Sequence, residues 1–184
     1  ADGTFVIANS TKAEALKDKN SLTRDEIADI IGQITTNWDF NTAKNLAQAN
    51  LSSAPKTLKG NVFILAPNDG TARSIADTFA ADPDITSYVI TGQDAEKPSV
   101  QYIIDGKQSM TVFKDVRVLV RDAINAAITY LEGGEPEATT TYNNGVKDVP
   151  SKPSEVQVVD KSNVREILID SGYYSESDFT WPTE

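Results

Sequence analysis

One stretch of the sequence decides the fold: Val62-Phe63-Ile64-Leu65-Ala66-Pro67-Asn68-Asp69-Gly70-Thr71-Ala72. Its apolar run predicts a strand buried on both faces, as in the interior of a parallel sheet. Pro67 ends the strand, because proline has no N–H for the ladder. After the turn at Gly70, apolar residues at helical spacing predict a helix. Asn68 and Asp69 therefore stand at the carboxyl end of a strand, where open α/β sheets bind their ligands.

The alternation of strand and helix continues along the chain. Apolar runs predict strands at 4–8, 62–66, 88–91, 110–113 and 156–159. Helical spacing of apolar residues predicts helices around 27–34, 43–51, 72–81, 100–104, 116–131 and 164–168. The first should bury a short face of Ile27, Ile30, Ile31 and Ile34, and the second should turn Ala43, Leu46, Ala47 and Leu51 inward. Residues 139–153 are predicted to be loop and extended chain. This order predicts an α/β fold with a mostly parallel sheet flanked by helices.

Composition limits the chemistry of the chain. Among its 184 residues there is no cysteine and no histidine. This excludes a thiol nucleophile, a Ser-His-Asp triad and the usual zinc ligands, and we expect neither an enzyme nor a cofactor nor a metal. The net charge of -10 argues against nucleic acid as a partner. A weak likeness to a calcium loop around residues 18–26 lacks the spacing and the glycine of an EF-hand.

Polar side chains follow three of the predicted strands. Asn68, Asp94 and Lys114 each stand where a strand ends. Because parallel strands end at the same edge of a sheet, we expect these side chains to face one cleft. The alternative is that they show only the ordinary polarity of loops.

Three motifs resemble the periplasmic sugar-binding proteins of ABC transporters, in the xylose-binding and multiple-sugar-binding branch of the type I family. They are Asn68-Asp69-Gly70-Thr71-Ala72, Gly92-Gln93-Asp94-Ala95 and Thr111-Val112-Phe113-Lys114-Asp115. Two later runs are similar to the C-terminal part of that branch, Tyr142-Asn143-Asn144-Gly145-Val146-Lys147 and Ser171-Gly172-Tyr173-Tyr174. The resemblance extends from about residue 37 to about residue 179 and implies a partial type I periplasmic-binding-protein fold.

The resemblance also implies a set of sugar-binding residues. Trp38 matches an aromatic residue that stacks on the sugar ring, and Asn68 matches an asparagine that binds ring hydroxyls. Asp94 matches a carboxylate that accepts from two hydroxyls, and Lys114 matches a polar position beside the hinge. Asp69 is a fifth candidate, which either contacts the ligand or bonds its own turn. These residue types suit a sugar, which offers C–H faces to an aromatic ring and hydroxyls to fixed polar groups.

Several of these residues have a simpler interpretation. Trp38 is either a ligand contact or a tryptophan of the core or of a helix start. Lys114 is either a ligand contact, a plain surface lysine or the partner of Asp115. Asp39 is expected to cap the helix that follows it. Gln93 is expected to support Asp94 from behind.

The resemblance implies two α/β lobes joined by three hinge strands, with the sugar between them. It assigns residues 1–114 to the core of the C-terminal lobe, 115–155 to a hinge-crossing helix and strand of the other lobe, and 156–184 to the return. The N-terminal lobe has no counterpart in the chain, and segment 12–33 has none in the family pattern. We therefore expect the apolar face of the 116–131 helix to be covered in a homo-oligomer or by a companion fragment, or to be refolded onto the sheet of its own chain.

The function implied is binding of an aldose monosaccharide as the extracytoplasmic solute-binding component of an ABC importer. Its partners would be the monosaccharide and the membrane subunits of an ABC permease. Its location would be the periplasm, or the outer face of the cell membrane as a lipoprotein. The alternative is the effector-binding core of a LacI-type transcription regulator, against which the acidic charge and the lack of a helix-turn-helix argue.

Overall fold

The computed structural model describes residues 10–31 and 34–182. Its helices are α1 (Thr11–Leu16), α2 (Arg24–Ile31), α3 (Phe40–Ser53), α4 (Asp69–Ala80), α5 (Lys97–Ile104) and α6 (Val116–Leu131). Its strands are β1 (Gly60–Ile64), β2 (Ile85–Ile90), β3 (Met110–Lys114), β4 (Thr140–Asn143), β5 (Asp148–Ser151) and β6 (Val156–Asp160). Short helical turns lie at Lys56–Leu58, Arg165–Asp170 and Glu176–Asp178. The strand predicted at 4–8 lies outside the described residues.

The central sheet follows the predicted topology. β1 pairs with β2 in parallel. The segment after β2 then joins β3 in parallel, with Asp94 N donating to Val112 O and Val112 N donating to Gly92 O, both at 3.0 Å. β6 pairs with the other side of β3 in antiparallel orientation. The pairs β1-β2 and β3-β6 are thus joined through the single parallel bridge between Gln93 and Val112, and the α/β fold with a mostly parallel sheet is confirmed.

Two apolar clusters hold the helices on one face of this sheet. The first, beneath α4, contains Ala66, Ala72, Ala76 and Ile90. The second joins α5, β3 and β6 to the C-terminal segment and contains Ala95, Val100, Ile104, Phe113, Val159, Val164, Leu168 and Phe179. The predicted inward face of α3 is confirmed at Ala43, Ala47 and Leu51, which are buried. These clusters fix the ends of β1, β2 and β3 relative to one another.

The prediction that the strand in the 62–66 run, β1, is buried on both faces is wrong. Alternate residues of this segment point away from the helices, and Phe63 and Leu65 remain 66% and 79% exposed. Val89, which pairs with Phe63 in β2, is exposed as well. Only one face of the sheet carries a helical layer among the described residues, so an unbroken apolar run did not mean two-sided burial. The buried face predicted for α2 is also wrong at Ile27, which is exposed.

Helix α6 forms over the predicted range and has no buried residue. Its apolar side, which includes Val116, Val120, Ile124 and Ile128, faces solvent. Among the described residues its apolar side is not folded back onto the sheet, so that alternative is wrong. Whether a second chain or a companion fragment covers it stays a prediction. None of the described helices is long and apolar enough to cross a membrane.

The region 139–153, predicted as loop and extended chain, contains a hairpin. β4 and β5 pair in antiparallel orientation from Thr140 to Ser151. Gly145 in the turn has a φ of 88°, which glycine adopts without steric cost. Asn144 Oδ1 accepts the turn N–H of Lys147 at 2.9 Å. The hairpin was missed because Thr140-Thr141-Tyr142-Asn143 shows no apolar alternation.

Candidate functional site

The candidate site lies at the edge of the sheet where β1, β2 and β3 end, here called the carboxyl edge. Residues 65–69 follow β1, residues 91–96 follow β2, and Lys114 is the last residue of β3. Because these strands run in the same direction, the three polar segments meet at one edge. The topology thus brings Asn68, Asp94 and Lys114 to the same side of the sheet.

Asp94 and Lys114 form an ion pair across this edge. Lys114 Nζ lies 3.0 Å from Asp94 Oδ1, and both side chains remain more than a third exposed. Lys114 therefore pairs with Asp94, whereas Asp115 caps α6 and binds Arg117. The pair places a charged acceptor and a charged donor side by side without net charge. Such an arrangement suits a neutral hydroxyl compound better than a free anion or cation.

Asn68 is the N-cap of α4. Its Oδ1 accepts from Thr71 N at 3.2 Å and from Thr71 Oγ1 at 2.7 Å. These bonds satisfy the first turn of the helix, which is the usual task of an N-cap asparagine. Among the described residues no hydrogen bond is recorded for its Nδ2 group. Asn68 is half-buried, and its Nδ2 group can donate two hydrogen bonds to a ligand.

Trp38 precedes α3 and is 70% exposed. It is therefore not a core residue, although it does stand at the start of a helix. Asn37 and Trp38 have φ values of 51° and 56°, a conformation that costs energy for side chains other than glycine. Asp39 caps α3 as predicted, since its Oδ1 accepts from Thr42 N at 2.7 Å. The indole of Trp38 is exposed just ahead of α3, and its proximity to the carboxyl edge stays a prediction.

Asp69 is not at the surface of this edge. It is fully buried in the first turn of α4, where Oδ1 accepts from Gln108 Nε2 at 2.9 Å and Oδ2 accepts from Glu96 N at 2.8 Å. Burial raises the pKa of Asp69, and the hydrogen bonds from Gln108, Thr111 and Glu96 oppose that rise. Both oxygens are thus used inside the protein. The two predictions for Asp69, ligand contact and a bond within its own turn, do not match this geometry.

Sequence reasoning missed the partners of Asp69. Gln108 and Thr111 are fully buried beneath the carboxyl edge, but neither belongs to a strand end. They lie about forty residues from Asp69 along the chain, and no spacing rule connects them. The one available signal was Gly92 within the motif Gly92-Gln93-Asp94-Ala95, because a glycine inside a loop motif often marks a close approach. Among the described residues, no group of acidic side chains is arranged to hold a metal ion.

Residues 7–135 match a family model described as a periplasmic binding protein domain. Among curated proteins, the multiple sugar-binding periplasmic protein SbpA of Azospirillum brasilense is 38% identical over 153 residues, which cover 79% of this chain and 42% of that protein. The D-xylose-binding periplasmic protein of Escherichia coli is 36% identical over 115 residues, which cover 62% of this chain and 35% of that protein.

Two solved structures give a closer comparison. A carbohydrate transporter solute-binding protein from Chloroflexus aurantiacus, in complex with D-glucose, is 70% identical with a TM-score of 0.92, covering 97% of this chain and 53% of that one. An ABC transporter solute-binding protein from Clostridium phytofermentans, with bound β-D-glucose, is 32% identical with a TM-score of 0.70, covering 86% and 48%. The coverage of 97% gives most of segment 12–33 a counterpart in the Chloroflexus protein, so that segment is not peculiar to this chain. The chain spans about two fifths of the length of SbpA and about half of these two structures.

Proposed function

The chain belongs to the family of periplasmic binding protein domains, and on that premise we propose that it supplies one side of a sugar-binding site. The observation that carries the proposal is the Asp94–Lys114 ion pair at the carboxyl edge. The ligand is an aldose monosaccharide, with D-glucose the first candidate because a relative of 70% identity is described in complex with it. Multiple sugar-binding and D-xylose-binding proteins among the relatives make D-xylose the second candidate.

Each proposed contact matches a chemical feature of a sugar. The exposed indole of Trp38 offers a face for the C–H side of the ring. Asp94 accepts from ring hydroxyls, while Lys114 and the amide of Asn68 donate to them. Asp69 supports this edge from below and makes no contact with the sugar. The relatives are named as binding proteins, and the proposal assigns no catalytic residue.

The proposed setting is a two-lobed solute-binding protein outside the cytoplasm that delivers sugar to the membrane subunits of an ABC permease. The relatives named as periplasmic support a location outside the cytoplasm. The proposal leaves two forms of it open, a protein free in the periplasm and a lipoprotein on the outer face of the cell membrane. In the proposed protein, residues 1–114 and 156–184 belong to one lobe, and residues 115–155 are a hinge-crossing helix and strand that belong to the other. The exposed apolar side of α6 supports that division, because it suits a surface that a second lobe covers.

The test is an NMR titration of the 184-residue chain with D-glucose and with D-xylose. We expect shifts confined to the Trp38 indole and the amides around Asn68, Asp94 and Lys114. Asp94→Ala should weaken binding by about 2–3 kcal/mol, since it removes the charged acceptor. Asp105→Ala, a similar change at the end of α5 on the opposite edge, should leave the titration unchanged. An absence of specific shifts at sugar concentrations far above about 1 mM, the tightest Kd expected for this chain, would contradict the proposal.

A further inference from the structure

One buried residue, Asp69, forms hydrogen bonds with the loop that carries Asp94 on both sides of Asp94. This loop, residues 92–96, is called the edge loop. Asp69 N donates to Gln93 O at 2.9 Å, just before Asp94. Asp69 Oδ2 accepts from Glu96 N at 2.8 Å, just after it. A single residue at the start of α4 therefore fixes both ends of the segment that projects Asp94.

The edge loop needs such support because its backbone is strained. Asp94 and Ala95 have φ values of 104° and 50°, two successive residues in a region that side chains other than glycine rarely adopt. Conformations of this kind persist only where the surroundings hold them. If the loop relaxed to an extended conformation, Asp94 would leave the position in which it meets Lys114.

The polar atoms of Ala95 are held by a second set of contacts. Ala95 N donates to Thr111 Oγ1 at 3.1 Å, and Tyr174 donates its hydroxyl to Ala95 O at 2.9 Å. The Thr111 hydroxyl also acts on Asp69, since it is one of the groups that lower the pKa of that carboxyl against the effect of burial. The carboxylate thus acts on the edge loop directly through Glu96 N, while Thr111 holds the neighbouring Ala95 N.

The carboxylate has no room to move. Gln108 Nε2 donates to Asp69 Oδ1 at 2.9 Å and to Met110 O at 3.0 Å. Gly92 lies so close that a Cβ there would stand 2.3 Å from Asp69 Oδ1. Asp69 is therefore held between the Gln108 side chain and the edge loop.

We infer that Asp69 is a positioning residue, whose buried carboxylate holds the edge loop in the strained conformation that presents Asp94 at the carboxyl edge. The importance of this for sugar binding rests on the proposed function. The conformation of the loop can be measured without any sugar, so the two statements can fail separately.

The first variant is Asp69→Asn, which keeps the shape and replaces one acceptor oxygen by an NH₂ group. Because Asp69 Oδ1 faces Gln108 Nε2 and Oδ2 faces Glu96 N, that group must oppose an N–H donor on one side or the other. We expect the Glu96 amide to exchange with solvent about tenfold faster or more. The strong intraresidue amide–α-proton NOE that a positive φ produces should weaken at Asp94 and Ala95, while amides of β1 and β2 keep their protection.

A matched control makes the same chemical change at the opposite edge of the sheet. Asp160→Asn, at the end of β6, retains an oxygen that can accept from Ser162 and should leave the edge loop unaltered. Thr111→Val is the second variant, because it removes the hydroxyl that accepts from Ala95 N and lowers the pKa of Asp69, while leaving the carboxylate in place. It should produce the same loss of NOE at Ala95 and decides the question if Asp69→Asn does not fold.

Sugar titration of the same proteins separates the two proposals. We expect Asp69→Asn to bind sugar at least about tenfold more weakly than the unaltered chain, although Asp94 is present in both. If the unaltered chain shows no binding but the variants disturb the edge loop, the proposed function fails and the positioning role stands. Unchanged amide exchange and NOEs in the edge loop of a folded Asp69→Asn, or of Thr111→Val where the first variant does not fold, would overturn the inference.

Discussion

Gly92 is the most crowded glycine beneath the carboxyl edge, and its replacement by alanine tests the packing there. A Cβ at this position would lie 2.3 Å from Asp69 Oδ1, 2.3 Å from Gln108 Nε2 and 3.2 Å from Met110 O. Favourable contacts of a carbon atom lie at about 3.5–4 Å, so the first two distances require displacement of the neighbouring groups. Both neighbours are buried and hydrogen-bonded to each other, and neither can swing out into solvent.

The expected cost has two parts. Forcing a methyl group into a packed interior costs about 1–3 kcal/mol. Pushing the Asp69 carboxylate aside breaks hydrogen bonds to a charged group, which are worth about 1.5–3 kcal/mol each. We therefore expect Gly92→Ala to lower the free energy of unfolding by about 3–5 kcal/mol. A single domain has about 5–15 kcal/mol in total, so the variant should be marginally folded at best.

Urea denaturation followed by tryptophan fluorescence measures this free energy. The matched control is Gly70→Ala in α4, where a Cβ would meet only Asn68 Nδ2 at an ordinary 3.7 Å. Alanine is a better helix former than glycine, so the control should change stability by less than about 1 kcal/mol. A free energy of unfolding for Gly92→Ala within about 1 kcal/mol of the unaltered chain would refute the reasoning, because Asp69 and Gln108 would then have room to give way.

Two further predictions concern pH. Burial raises the pKa of Tyr174 to about 12 from the ordinary value of 10.0. The neutral hydroxyl of Tyr174 therefore contributes fully to stability below pH 10, and this contribution is lost as the pH rises through about 12. An ultraviolet titration of the unaltered chain minus that of Tyr174→Phe should show one step near 12, and a step near 10 would contradict it. A hydrogen bond from Lys59, at 2.7 Å, lowers the pKa of Asp82 in the folded protein below the ordinary value of 3.8. The pair therefore stabilises the fold above pH 3.8, and this stabilisation is lost as the pH falls through the lowered pKa of the folded state. Asp82→Asn should therefore reduce the free energy of unfolding at neutral pH and not in strong acid, whereas an equal loss at both would show that charge is not the cause.

The elements that the sequence predicted are those with a one-sided apolar pattern. In α3 and α5 the spacing of apolar residues both forms the helix and chooses the buried face, and each helix lies within a few residues of its predicted range. The range of α6 was predicted as well, because helical periodicity does not require that the apolar side be covered. The error in β1 has a similar cause. The apolar run that includes Phe63 predicts a strand, but it does not show whether a second layer of helices covers the other face of that strand.

The candidate site was predictable where polarity and strand ends coincide. Asp94 and Lys114 could be expected together because parallel strands end at a common edge, and the structure pairs them at 3.0 Å. Asn68 and Asp69 are adjacent and equally polar, yet one caps a helix near the surface and the other is fully buried. What separates them is the donor at Gln108, which only the folded chain brings close to Asp69. No local pattern contains that information.

The Asp94–Lys114 pair also bears on how strongly this edge can hold a sugar. A half-exposed ion pair is worth about 0–1 kcal/mol, so opening it costs little. A hydroxyl inserted between the two groups would donate to the carboxylate and accept from the ammonium, gaining about 1.5–3 kcal/mol for each charge-assisted bond. Association itself costs at least about 4 kcal/mol, and ordering the side chains adds to this. The exchange therefore favours the sugar only slightly with the contacts of this ion pair alone. With the proposed stacking on Trp38 and the bonds from Asn68 added, the 184-residue chain should bind sugar with a Kd of about 1 mM or weaker, and tighter binding requires contacts from a second lobe.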